Sequence, residues 1–336
     1  MLNKIKLFGQ RNKQLLGMIG AIAVMILVLS ITVENFMTWT NITNLLAQVA
    51  PIAFMATGIT FVLISGGMDI SGPSVMAASS VLAVAFITSF EVVTGVHLVI
   101  GCIILLLSGG LFGLINGVAI AKLKMVPLVV TLSMMTVATG IATVLGGAKG
   151  LPTIPSTFAD IFNKYTIIGL LFVITWLLDF ILTGTAFGRK VYYIGNKEET
   201  AKVSGIQTDT VLLKVYILCG VCAALAGIAN VAIISTARAS MGPQSQILDV
   251  VSAAVIGGVA VNGGKGRVRD AVLGAFLIVG INNIMNLIGV SDYYTTLIKG
   301  SIIIFAMGIE SIKTYYSSRA RAEGVYYGKE IISSTE

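Results

Sequence analysis

Apolar runs of about 20 residues recur along this chain, and they leave few folds open to it. A run of that length matches the hydrocarbon thickness of a bilayer at the rise of an α-helix. Only 11% of the 336 residues are charged, while 56% are apolar. An ordinary soluble domain carries about a quarter charged residues. The chain therefore reads as an all-α, polytopic membrane protein. Its net charge of +7 needs no nucleic acid to explain it, because in such a protein the position of the cations matters more than their sum.

Ten spans are expected, near Leu15–Val33, Leu45–Ser65, Gly72–Phe90, Gly95–Ala121, Val126–Gly146, Tyr165–Leu182, Val211–Ser235, Val250–Val261, Val268–Ile288 and Tyr293–Ile312. The basic residues before the first run resemble the start of a signal peptide, but no small-residue cleavage pattern follows, so an uncleaved first span is expected. With the N-terminus inside, 18 lysines and arginines fall on the cytoplasmic side and Lys149, Lys164 and Arg238 on the other, with Lys299 inside the last span. That asymmetry puts both termini in the cytoplasm. The organisation expected is a cytoplasmic segment 1–14, a membrane domain 15–312 with a cytoplasmic loop 185–210, and a cytoplasmic tail 313–336, whose cations suit anionic membrane lipid.

Two places interrupt the pattern. Val250–Val261 is short for a crossing, and Ser65–Ser74, SGGMDISGPS, is glycine-rich. Both suggest broken or re-entrant backbone, which is tolerated only where protein or water surrounds it. Gly263–Gly264 follows the eighth run as Gly66–Gly67 follows the second, a correspondence too short to establish an internal repeat.

Gly188–Ile206, GRKVYYIGNKEETAKVSGI, is the most polar interval between two strongly apolar regions. Asn196 suits an N-cap with Glu199 completing a capping box, and Gly205 suits a left-handed stop. The helix between them, Lys197–Ser204, is about two turns and too short to stand alone in water. Such an element suits docking into a partner's groove, and it equally suits a solvated connection between spans.

Little points to bond-making chemistry. Cys102, Cys219 and Cys222 all lie in apolar runs and read as packing residues. His97 is the only histidine, so no His-based metal centre or catalytic group is expected. The motifs G-x-x-x-x-G-K-[ST], H-E-x-x-H and G-x-S-x-G do not occur. Asp179 lies near the inner end of the sixth run and Lys299 about two turns into the tenth, neither with an evident partner at helical spacing. Uncharged polar groups are commoner. Asn116, Thr131, Asn282, Asn283 and Asn286 can line a path for a hydroxyl-rich solute or hold helices together by hydrogen bonds. Glycines at small-xxx-small spacing, Gly109, Gly113 and Gly117, fit close helix packing.

Five elements in order, from about Asn41 to Met307, resemble the permease subunits of ribose-type ABC sugar importers. They are Gly66-Gly67-Met68-Asp69-Ile70-Ser71; Asn116-Gly117 with Lys122-Leu123 and Pro127; Phe187-Gly188-Arg189 followed by Gly195-Asn196, Ala201 and Ser204-Gly205-Ile206; Ile256-Gly257-Gly258 with Gly263, Gly264 and Gly266; and Asn282-Asn283 with Asn286-Leu287 and Gly289-Val290. The resemblance implies a membrane subunit paired with a second permease copy or a similar partner. It implies cytoplasmic ATPase subunits docked on the 185–210 loop, and an extracytoplasmic binding protein that delivers a sugar of the ribose, galactose, xylose or autoinducer-2-like kind. By the same resemblance Asn196, Glu198, Glu199, Ala201, Ser204 and Gly205 contact the ATPase and Arg238 contacts the binding protein, with no cofactor or metal held by this subunit. Gly72-Pro73 and Arg269-Asp270 depart from the family pattern. A gradient-driven secondary carrier is the alternative, weakened by the scarcity of acids at mid-span; a membrane-embedded enzyme and a scaffold without transport rank behind it.

Overall fold

The computed structural model describes residues 13–32, 36–147, 150–243 and 246–291, with single positions and short stretches from 294 to 308. Contacts divide the chain at Ile288, and the elements below belong to the first unit. In order they are α1 (Lys13–Thr32), α2 (Trp39–Ile64), α3 (Gly72–Thr88), α4 (Gly95–Gly117) running into a π turn (Val118–Lys122), α5 (Pro127–Gly146), α6 (Ser156–Ile161), α7 (Lys164–Gly184), α8 (Ala186–Asn196), α9 (Glu198–Val203), α10 (Thr208–Ile234), α11 (Gln246–Ile256) and α12 (Val268–Leu287). The described residues contain no strand.

Six of these helices are long and apolar enough to cross a membrane: α2, α4 with its π turn, α5, α7, α10 and α12. Six is fewer than the ten spans expected. The apolar part of α1, Gly17–Ile31, and all of α3 are shorter apolar helices. The eighth expected span is an 11-residue helix, α11, only about 16 Å long at 1.5 Å per residue, which is roughly half the hydrocarbon thickness. The tenth, Tyr293–Ile312, lies largely outside the described residues, as do residues 1–12 and the tail from 309 onwards.

The long helix α2 is the hub. From Val49 to Ile64 every residue is buried, as its uniformly apolar sequence requires of a helix with no polar face. It packs against α10, α12, α7 and α11. The closest approaches are made through glycine. Gly58 of α2 faces Cys219 and Cys222, where an added Cβ would come within 2.8 Å of the Cys222 Cβ. On α4 the stripe Gly109, Gly113, Gly117 lies against the backbone of α10 at Gly220, Tyr216 and Leu213. With little hydrophobic drive between helices in lipid, such contact supplies dispersion and close backbone approach instead. The small-residue spacing is borne out as packing.

By contrast, α5 and α7 leave broad apolar faces uncovered, including Val144 (81% exposed) and Trp176 (69% exposed). Such faces need hydrocarbon or another apolar surface beside them. Gly72-Pro73, the departure noted above, forms the first turn of α3, where the missing N–H of proline costs no hydrogen bond.

Gly113→Ala should destabilise the bundle by about 1–3 kcal/mol, because its Cβ overlaps the Tyr216 carbonyl and backbone must move. Gly140→Ala, at an interior position of α5 with nothing within 4 Å of the new carbon, should be neutral or slightly stabilising. Thermal stability of the purified protein in detergent, read by size-exclusion chromatography, separates the two; equal behaviour would contradict the packing account.

Candidate functional site

The polar stretch 185–210 is two short helices rather than one. A tight corner begins it: Thr185 caps α8, its Oγ1 accepting from the Gly188 N–H at 3.3 Å. An added Cβ on Gly188 would overlap the Leu182 carbonyl, so the Phe-Gly-Arg element needs glycine there for the chain to reverse. Along α8, Gly188, Val191 and Ile194 are buried while Arg189, Lys190 and Tyr193 are exposed. The helix is therefore amphipathic, with a cationic outer face.

Asn196 does not cap the next helix. It is the last residue of α8, and its Nδ2 donates to the Tyr192 carbonyl at 3.0 Å. Lys197 occupies the cap position of α9 without a side-chain cap bond, so the expected capping box with Glu199 is absent. The orphan carbonyl groups of α8 draw the asparagine amide backwards, which leaves it unable to serve the following turn. The stop expected at Gly205 is present. Its φ is +79°, its N–H bonds to the Lys202 carbonyl, and the Ile206 N–H bonds to the Ala201 carbonyl. That pair of bonds is a Schellman motif.

The remaining residues expected at the docking face divide by exposure. Glu198 pairs with Lys202 at 2.7 Å, one turn along α9, and accepts from Thr208 Oγ1 at 3.4 Å. Glu199 and Ser204 are exposed, and Val203 is 90% exposed. The Ser204 hydroxyl bonds back to the Thr200 carbonyl. Ala201 is buried, which places it inside the segment rather than on its outer face.

The arrangement behind this face was not read from the sequence. At Gly195 the helix α8 crosses the C-terminal end of α2 so closely that a Cβ would overlap the Ile64 carbonyl oxygen and lie 2.7 Å from the Gly264 nitrogen. The Gly264 N–H in turn donates to that same Ile64 carbonyl at 2.9 Å. Nearby, Tyr192 donates its hydroxyl to the Gly266 carbonyl at 2.6 Å. Burial pushes the Tyr192 phenol above its ordinary range, which keeps the donating proton in place. The two Gly-Gly breaks, which correspond in the sequence, therefore meet at one point with α8 between them. Gly258, Gly263 and Gly264 all hold positive φ there, and an added Cβ on Gly263 would lie 2.6 Å from the Gly195 carbonyl oxygen. The available signal was Gly195 itself, a helix-breaking residue inside an amphipathic helix, which implies a close neighbour.

Asp179 also finds a partner. From α7 its Oδ1 accepts the backbone N–H of Arg269 at 3.3 Å, in the first turn of α12, where a carboxylate is favoured by the helix dipole. It serves the α7–α12 contact and is not spent on headgroups alone.

Of the polar residues expected near a pathway, two donate to groups inside the bundle. Asn116 is buried and donates to Ser71 Oγ at 3.2 Å; Ser71 donates to Asp69 Oδ1 at 2.6 Å from its hydroxyl and at 2.8 Å from its backbone. Tyr216 donates to the Met68 carbonyl at 3.3 Å. This buried network ties the GGMDIS loop to α4 and α10. Thr131 is buried and donates to the Pro127 carbonyl of its own helix. The Oδ1 atoms of Asn116, Asn282 and Asn283 are all buried without a hydrogen-bond partner among the described residues. Asn286, one turn beyond Asn282, is exposed. Arg238 is exposed at the other end of α10 from the docking segment, about 40 Å away along a 27-residue helix. It sits where 235–237 bonds to 151–154 through Leu151 N–H to Ala237 O and Ile154 N–H to Ser235 O.

Residues 41–307 match the family described as branched-chain amino acid transport system / permease component. The chain belongs to this permease family. Among curated relatives, the permease is 35% identical over 311 residues to the ribose import permease protein RbsC of Bacillus subtilis (strain 168), covering 90% of this chain and 94% of that one. It is 32% identical over 305 residues to RbsC of Escherichia coli (strain K12), covering 87% and 92%. It is 31% identical over 321 residues to the galactose/methyl galactoside import permease protein MglC of the same strain, covering 88% and 94%. No solved structure matches the permease. It is a multi-pass membrane protein.

Gly205→Ala should strain the left-handed position of the Schellman motif by about 1–2 kcal/mol, although space for the methyl exists. Amide hydrogen exchange should then speed up over 198–206 while α10 stays protected. Unchanged exchange over 198–206 would mean that the motif does not hold the segment.

Proposed function

We propose that this chain is the permease subunit of an ATP-driven importer that carries a sugar across the bacterial cytoplasmic membrane. The relatives named above are ribose and galactose permeases, and their full-length coverage supports a sugar over the amino acids of the family description. A second permease subunit, as a homodimer or heterodimer, completes the pathway, and the uncovered apolar faces of α5 and α7 support more than one neighbour. Ten spans with both termini in the cytoplasm remain the topology that the distribution of lysine and arginine supports.

The observation that carries the mechanism is the crossing at Gly195. In this reading the ATPase subunit grips the exposed side of α9, with Glu198, Glu199, Val203 and Ser204 outermost, while Asn196, Ala201 and Gly205 hold the segment in shape. Its motion reaches the two glycine-rich breaks through backbone contacts at Ile64 and Gly264, which have no long side chains to absorb a displacement. Close-packed contacts of this kind transmit shifts because they resist compression. Asn116, Asn282 and Asn283, with unpaired buried acceptors, are the candidates for meeting solute hydroxyl groups. The binding protein delivers the sugar at the opposite end of α10, with Arg238 as a contact. A secondary carrier would run without ATP, and only Asp69 and Asp249 are buried acids among the described residues.

In liposomes with the ATPase and binding protein, Gly195→Ala should leave ATPase binding within about twofold while lowering sugar uptake per ATP at least tenfold, since ~1.4 kcal/mol of lost coupling already gives that factor. Uptake at the wild-type ratio would overturn the coupling role. Val203→Glu should instead weaken ATPase binding directly, by roughly 1–3 kcal/mol for a buried charge at an interface; unchanged affinity would remove α9 from the docking face. If Arg238→Glu leaves affinity for the binding protein unaltered, that contact is wrong.

A further inference from the structure

We propose that the cleft between α8 and the start of α10 is a binding site for the phosphodiester headgroup of an anionic phospholipid. The cleft has a volume of about 440 Å³ and is lined by Phe187, Lys190, Gly205, Gln207, Thr210 and Lys214. It therefore presents two ammonium groups and two neutral hydrogen-bonding side chains, with no acid on its walls. The acids nearby are engaged elsewhere: Asp209 pairs with Lys124 and Glu198 with Lys202. Lys190 and Lys214 form no ion pair with any described residue. Two cations converging on an open cleft attract an anion, and a phosphodiester can also accept from the threonine hydroxyl and the glutamine amide.

Position decides which anion. Lys214 lies on α10 about 9 Å beyond the first residue of that helix, within one of the six membrane-length helices. The strongly exposed apolar side chains Leu123 (68%) and Val126 (62%) flank the segment that Lys124 ties to Asp209 at the start of α10. Exposed leucine and valine mark the edge of the hydrocarbon, so Lys214 lies at or just beyond that edge. A lysine there reaches back to the phosphate plane, where a lipid headgroup is at high local concentration and an acidic segment of a soluble partner is not. Phe187 forms an apolar wall at the same level, suited to the glycerol and upper acyl chain. The outer face of α8, with Arg189 and Lys190, completes an interfacial amphipathic helix. The inference uses the proposed topology only to say which leaflet supplies the lipid; binding itself stands without it.

The test is native mass spectrometry of the full permease in detergent, titrated with phosphatidylglycerol and with phosphatidylcholine. Wild type should retain phosphatidylglycerol in preference to phosphatidylcholine. Lys190→Gln with Lys214→Gln should lower that preference about thirtyfold, at ~1 kcal/mol per cation, and the corresponding double arginine variant should keep it. Should the double glutamine variant not fold, Lys190→Gln alone, on the exposed side of α8, should lose about fivefold. Unchanged preference in either variant would overturn the site. So would displacement of the lipid by inorganic phosphate alone, which would make this a free-anion site. Loss of ATPase binding in the glutamine variants with lipid retention intact would equally overturn it, since the cleft would then take an acidic protein side chain.

Discussion

One carbonyl oxygen organises the cytoplasmic half of this fold. Ile64 ends α2, which is buried throughout from Val49, and its carbonyl accepts from Gly264 while Gly195 of α8 lies on top of it. No residue with a Cβ fits at Gly195 without moving backbone. Its consequence is mechanical: α8, the exit of α2 and the loop after α11 share one contact point, held further by the Tyr192–Gly266 hydrogen bond. Displacing any one of the three pushes directly on the peptide groups of the others. On the proposed reading, in which a separate motor drives the pathway, this junction joins the docking segment to the spans.

Above that junction the polar groups are arranged to fix segments rather than to be wetted. Asp69, Ser71 and Asn116 form a buried chain, and Tyr216 anchors Met68. Buried polar networks of this kind are costly when incomplete and specifying when satisfied. Their placement explains how a glycine-rich loop keeps one conformation between two helices. The Oδ1 atoms of Asn116, Asn282 and Asn283 are left without a partner among the described residues, and a buried unpaired acceptor in an apolar helix asks for a function. The 198–206 segment and Arg238 stand at opposite termini of α10, so a single helix spans the distance between the proposed motor side and the proposed delivery side.

Much of this was legible in the sequence wherever one physical signal dominated. Length and apolarity identified the long helices, and the Gly109, Gly113, Gly117 spacing foretold the α4–α10 contact. The left-handed stop at Gly205 was readable because few residues tolerate that backbone. Failures came where local and tertiary preferences compete. Asn196 has the side chain of an N-cap, but it closes α8, its amide bonding back to the Tyr192 carbonyl, because the polar stretch breaks at Lys197 into two helices. Asn116, Asn282 and Asn283 carry the same amide, and only the fold reveals that the Asn116 Nδ2 is committed to Ser71 while all three Oδ1 acceptors are unpaired among the described residues. The short α11 was suspected from its length, yet that its following loop meets Gly66–Gly67's neighbourhood through α8 is a three-body contact among stretches far apart in the chain. No pairwise pattern in the sequence encodes it.

A rigid junction at Gly195 requires that the 198–206 segment and the glycine loop move as one body. Spin labels at Val203→Cys on α9 and Asn262→Cys on the loop after α11, both exposed sites, report their separation by pulsed electron resonance once the three native cysteines are replaced. The importer, complete with its ATPase, is compared without nucleotide and trapped with ATP. The account predicts the same distance distribution in both states, while a label pair from Val203 to Arg238→Cys changes its separation as the pathway switches. A shift between Val203 and Asn262 on ATP binding would mean that the two slide past each other at Gly195, and the rigid junction would be contradicted.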